Sequence, residues 1–192
     1  MPAEAEQAGK RPPPPWTLRE AGPADRDGIL ECRAAAFAGE DLEKGDRDYW
    51  RWEFLDNHAG PARIFVAEHN GAIVGHYAVI PQRFLLDGRP LRGSIVVDVM
   101  THPDYRNQGM FTALGRHALA ACSSAPGLEF TTGYPIRPEV MPGHLKTGWR
   151  PRFKIGTYAA PIAGGALLRA RAPRLARIPG LGCAIELHGH VH

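Results

Sequence analysis

The sequence predicts a mixed α/β fold, with one central sheet of parallel and antiparallel strands flanked by helices. Three observations carry this. Asn70-Gly71 and Asp87-Gly88 each sit between apolar runs, the strongest short-range signal for a β-hairpin. Ile95 to Thr101 is a nearly unbroken apolar, β-branched run, as in a strand buried on both faces. After it come Pro103, Asp104, a glycine turn and a helical stripe of Met110, Phe111, Leu114, Ala118 and Leu119. A helix placed between that strand and the next one makes the two strands parallel.

The elements follow in order. Met1 to Pro15 is polar and proline-rich, and is expected to be a disordered leader (residues 1–15). Trp16 to Glu20 alternates and reads as a first strand. Pro23-Ala24-Asp25 opens a helix through Ile29, Leu30, Cys32 and Ala36. Asp46 to Asp56 carries Tyr49, Trp50, Trp52, Phe54 and Leu55 and reads as a second, aromatic helix. Arg63 to His69 and Ala72 to Ile80 form the first hairpin. Phe84–Leu86 and Leu91 to Val97 form the second. Leu128 to Tyr134 is the parallel strand, Pro138 to Leu145 a short helix, and Arg152 to Ala159 a last strand. The sheet therefore has about six to seven strands.

The chain of 192 residues suits one domain with tails, and 44% hydrophobic residues is ordinary for a globular protein. A net charge of +3 is far from a clustered nucleic-acid footprint. No apolar run approaches the ~20 residues of a membrane span, and no apolar signal core opens the chain. Cys32, Cys122 and Cys183 lack metal or redox spacing and fit a reducing cytoplasm. Residues 160–192 hold Arg169, Arg171, Arg174 and Arg177 between prolines, which suits a basic extension or the start of a second region. The terminal His188, His190 and His192 lack the cysteine or carboxylate partners of a metal site.

The glycine turn is where chemistry is expected. A helix that starts there points free backbone N–H groups at one spot, with about half a positive charge from the helix dipole. Arg106 adds a full charge, so the turn suits a phosphate-like anion. The Walker and dinucleotide glycine patterns are both absent. What stands there is Arg106-x-x-Gly109-x-Phe111, after a strand ending in Val99-Met100-Thr101-His102-Pro103 and preceded by Tyr105. This resembles the acetyl-coenzyme A motif of the GNAT family of N-acyltransferases, [QR]-x-x-G-x-[GA]. The family pattern closes on glycine or alanine where this chain has Phe111. That ring is expected to point away from the pyrophosphate, toward the sheet.

The resemblance covers residues 16–159 and implies a GNAT-like domain that uses acetyl-CoA as co-substrate, without metal. It implies that the pantetheine arm lies between the splayed central and parallel strands and pairs with Val99, Met100 and Thr101. Arg106, Asn107, Gln108, Gly109, Met110, Phe111 and Thr112 would face the pyrophosphate. The aromatic second helix would wall the acceptor pocket. The reaction would move an acyl group to a small-molecule or peptide amine. That needs a base for the amine's proton and an acid for the thiolate. Asp98, mid-strand among apolar residues, is a candidate base if desolvation raises its pKa, or an ion-paired brace. Tyr134, just past the parallel strand, is the candidate acid or a packing residue. His76, Tyr77 and His102 stand behind them. A homodimer stays open, as do a non-catalytic coenzyme A sensor and an interaction domain with a basic tail.

Overall fold

The computed structural model describes residues 14–38, 42–124, 127–135 and 137–156. The chain divides into two compact units, residues 1–150 and 151–192. Leader residues 1–13, Cys183, the terminal histidines and the extension from residue 160 lie outside the described residues.

The first unit holds five strands, β1 Thr17–Glu20, β2 Arg63–His69, β3 Ala72–Leu86, β4 Arg89–Thr101 and β5 Phe130–Gly133. They lie in sequence order, antiparallel except for the parallel β4–β5 pair. Helices α1 Arg26–Phe37, α2 Arg47–Phe54, α3 Met110–Ser123 and α4 Met141–Lys146 complete it. Both hairpin turns place their two central residues at positive φ, 51° and 80° at Asn70-Gly71 and 50° and 76° at Asp87-Gly88. That is the backbone the two dipeptides favour.

Two expected strands are one. β3 runs straight through Pro81, because β2 stops pairing at Val79. The Pro81 carbonyl accepts a bond from the Asn57 side-chain amide at 3.3 Å, away from β4, so its missing donor faces an open edge. Among the described residues the expected last strand is not formed: residues 151–156 carry no strand and are exposed, and 157–159 lie outside the described residues. Pro151 removes a ladder donor at its start.

Each sheet face has its own core. Ile29, Cys32, Trp50 and Phe54 of α1 and α2 pack on Ile64, Val66, Ala78, Ile80 and Met100. Met110, Leu114 and Ala118 of α3 pack on Phe65, Val74, Tyr77 and Val79. The period of about 3.6 in α3 explains this stripe, although Leu119, expected on it, is 47% exposed. Gly75 sets how closely α3 approaches. A Cβ there would stand 2.5 Å from the Met110 sulfur and 3.0 Å from Leu114.

Candidate active site

β4 is half-buried from Ile95 to Val99 rather than buried on both sides. The cause is its pairing. β5 partners only Gly93 to Val96, whereas β3 continues to Thr101. From Val97 onward one edge of β4 has no strand beside it among the described residues. The sheet is split there, and the anion turn lies at the end of the split.

The turn has the backbone an anion site needs. Asn107 and Gly109 adopt φ of 61° and 81°, and Gly109 is the N-cap of α3. The first amides of α3 have no carbonyl one turn earlier to bind, so they face outward. A Cβ at Gly109 would meet nothing within 4 Å, so open space lies over it. The Gln108 side chain donates to the Asp104 carbonyl at 3.2 Å, bracing the turn. Thr112 is half-buried, and Met110 is buried against β3. The residues present therefore fit a pyrophosphate at the turn and an extended arm along Val99 to Thr101.

One expectation about a side chain is corrected, that for Phe111. The Arg106 guanidinium has carbonyl partners beside the turn. It donates to the Ala36 carbonyl at 2.8 Å and to Thr101 at 3.5 Å, tying the end of α1 to the turn. The last carbonyls of a helix lack partners within it, which makes Ala36 a ready acceptor. Phe111 points at α4 rather than the sheet. Its ring lies 5.0 Å from that of His144, and a Cβ at Gly143 would stand 2.6 Å from it. Gly143 leaves a slot on α4 that the ring fills, so the side chain clears the turn all the same.

Asp98 sits at a register shift. Opposite it, the pairing skips from His76↔Met100 to Ala78↔Val97, and Asp98 takes φ 45°. This bulge turns its carboxylate toward α1. There it is paired with Arg33 at 2.8 Å and Lys44 at 3.6 Å, and the Arg33 and Asp98 side chains are only 7% and 14% exposed. The Asp98 carbonyl accepts a bond from His76 Nδ1 at 2.6 Å.

Tyr134 follows β5 directly, half-exposed, one residue past the last pair Val96↔Gly133. Trp149 packs on this end of β5, where a Cβ at Gly133 would touch its ring at 3.1 Å. Tyr77 lies on the α3 face, where burial pushes its phenol up to about 12. There it lines a cavity of about 30 Å³ with Val96, Thr131 and Trp149, room for a single water. His102 accepts a bond from the Asp104 amide at 3.3 Å and ends the strand. The Cys32 thiol is raised to about 11 by burial and is inert.

Three further charged residues escaped the sequence reading. Arg33 stacks on Phe37 at 4.8 Å, and Arg137, beyond β5, lies over the same ring at 5.4 Å. Glu53 of α2 stands in the field of Asp98, Lys44 and Arg33. The available signal for Glu53 was its place between Trp50 and Phe54, on the border of a buried stripe.

Several solved structures share the fold. An acetyltransferase from Trypanosoma brucei is 22% identical, with a TM-score of 0.56, and the match covers 75% of this chain and 99% of that one. A glucosamine-6-phosphate N-acetyltransferase from Arabidopsis thaliana is 17% identical, with a TM-score of 0.54, covering 74% and 97%. An aminoglycoside acetyltransferase from an uncultured soil metagenomic sample, in complex with sisomicin, is 14% identical, with a TM-score of 0.58, covering 76% and 95%. No curated protein matches the chain in sequence. The family description "Acetyltransferase (GNAT) domain" matches residues 17–151, most of the chain. The chain belongs to the GNAT acetyltransferase family.

Proposed function

We propose that this protein is an N-acetyltransferase that moves an acetyl group from acetyl-CoA to an amine by direct attack. The observation that carries this reading is the open edge of β4 beyond Val96, ending at the Gly109 turn. An extended thioester arm finds backbone partners along Val99 to Thr101, and its pyrophosphate finds the amides from Asn107 to Thr112. Backbone N–H groups on that edge also suit the carbonyl oxygen that gains charge during attack.

The chemistry needs few groups. The amine forms a C–N bond to the acyl carbon, the C–S bond breaks, one proton leaves the nitrogen and one reaches the sulfur. Tyr134, at the end of β5, is the acid we assign to the thiolate. A phenol near pKa 10 and a thiol near 8.5 exchange a proton without a large penalty. Asp98 contributes from the bulge, where its pairing with Arg33 and Lys44 gives it a bracing part in addition to any proton transfer.

The acceptor is a small-molecule or peptide amine. Membrane insertion plays no part in this reading, as no helix among the described residues is long and apolar enough to cross a bilayer. Cys32 and Cys122, the free thiols among the described residues, suit the reducing cytoplasm we assign to the protein. A coenzyme A sensor without turnover is the second reading, favoured by the ion pair that occupies Asp98. Titration calorimetry with acetyl-CoA tests the binding. Release of free thiol with a panel of amines tests the transfer, and binding without release on every amine would leave the sensor.

A further inference from the structure

Resting on the acetyltransferase reading, we infer that Glu53 of α2 is the group that takes the proton from the attacking amine. The need for such a group follows from Asp98. The only carboxylate on the open stretch of β4 is Asp98, and it is already engaged by Arg33 at 2.8 Å and Lys44 at 3.6 Å. Both of its carboxylate oxygens thus already face a cation, Oδ2 toward Arg33 and Oδ1 toward Lys44.

Glu53 differs in the ways that matter. It has no hydrogen bond or ion pair among the described residues, although it is half-buried. The charged groups around it are Asp98 on β4, Arg33 on α1 and Lys44 before α2, and both cations turn to Asp98 rather than to it. Burial, helped by the charge of Asp98, raises its pKa, while Lys44 and Arg33 pull the other way. Its neighbour in α2, Phe54, meets the His76 ring edge-on at 5.8 Å, and His76 bonds the Asp98 carbonyl, so this turn of α2 lies against the bulge. One turn back on the same side of α2, Trp50 is 6% exposed with its indole N–H unpartnered among the described residues. The wall of α2 thus offers a lone carboxylate, the one kind of group there that can accept the proton of an ammonium.

The step balances without any further reactant. The ammonium gives one proton to the Glu53 carboxylate. The free amine then forms the C–N bond as the C–S bond breaks, and the thiolate is protonated from Tyr134 or water.

Hydroxylamine separates proton removal from every other effect, because it is largely unprotonated at neutral pH and needs no base. Glu53→Gln keeps the shape and removes the basicity. With acetyl-CoA and a panel of an amino sugar, a lysine peptide and a peptide with a free N-terminus, its thiol release should fall about a hundredfold. With hydroxylamine it should stay near the wild-type rate, and acetyl-CoA affinity by calorimetry should not move. The acid limb of the wild-type pH–rate profile should vanish in the variant, and Glu53→Asp should recover part of the rate. Equal loss with hydroxylamine and with the ammonium acceptors would overturn the assignment in favour of a structural role, and no loss with either would overturn it outright. If the wild type binds acetyl-CoA but releases no thiol with any acceptor, hydroxylamine included, the transfer reading itself falls and the Glu53 assignment with it.

Discussion

His76 donates its Nδ1 hydrogen to the Asp98 carbonyl at 2.6 Å, where the β3–β4 register shifts. The ring is fully buried, so the bond holds one tautomer and satisfies a carbonyl that the bulge leaves without a ladder partner.

Burial lowers the His76 pKa below its ordinary 6.5, and does the same to His144. The sign follows directly. An imidazole depressed in the folded state takes its proton later than in the unfolded chain. Its contribution is whole above about pH 6.5 and is lost as pH falls toward the folded value. Stability by urea titration should therefore drop from pH 7 to 5.5. His76→Leu should lower it by about 2 kcal/mol at pH 7, the cost of an orphaned carbonyl, and flatten that slope. An unchanged slope would show that His76 is not the titrating group.

Gly109→Glu puts bulk and negative charge over the turn. Inside the protein the new side chain meets open space, so the folded state pays only the left-handed strain at φ 81°, about 1–2 kcal/mol. The variant should stay folded and lose acetyl-CoA binding in calorimetry. Wild-type affinity in a folded variant would move the anion site elsewhere.

Phe111→Ala tests where that ring goes. The family pattern accepts alanine there, and the ring packs on His144 and Gly143 of α4. We expect the melting midpoint to correspond to a loss of about 2 kcal/mol, below the full cost of a buried phenylalanine because the residue is half-buried. Acetyl-CoA affinity should hold. Weaker binding would mean that the ring supports the cofactor directly.

Tyr134→Phe keeps the ring and removes the proton. Turnover on an identified acceptor should fall about a hundredfold while acetyl-CoA affinity barely changes. Asp98→Asn is the companion, but it also breaks a buried ion pair with Arg33, so its rate must be read beside its stability. Near-normal turnover in Tyr134→Phe would leave the thiolate to water or another donor.

The hairpins and the strand–turn–helix unit were legible because their signals are local. Asn70-Gly71 and Asp87-Gly88 dictate positive φ by their own chemistry, and the stripe from Met110 to Ala118 is a period within one helix. What could not be read depends on partners far along the chain. Pro81 looks like a strand breaker until β2 is seen to end at Val79. The bond from Arg106 to the Ala36 carbonyl joins residues 70 positions apart. Asp98 reads as a base or an ion-paired brace, and only the bulge shows the cation that holds it, Arg33 on α1. The Glu53 carboxylate carries only a faint local mark, its place beside the buried stripe of α2, since the rest of its meaning comes from which neighbours choose Asp98 instead.

Gly75 has a reach well beyond its own hairpin. Because the Met110 sulfur fills the space its side chain would take, the single hydrogen at position 75 fixes the depth at which α3 begins. Gly75→Ala would lift that first turn as a wedge lifts a hinge, tilting the amide cluster away from the β4 edge. The height of the turn is thus calibrated from beneath, by a residue on the far side of the helix start.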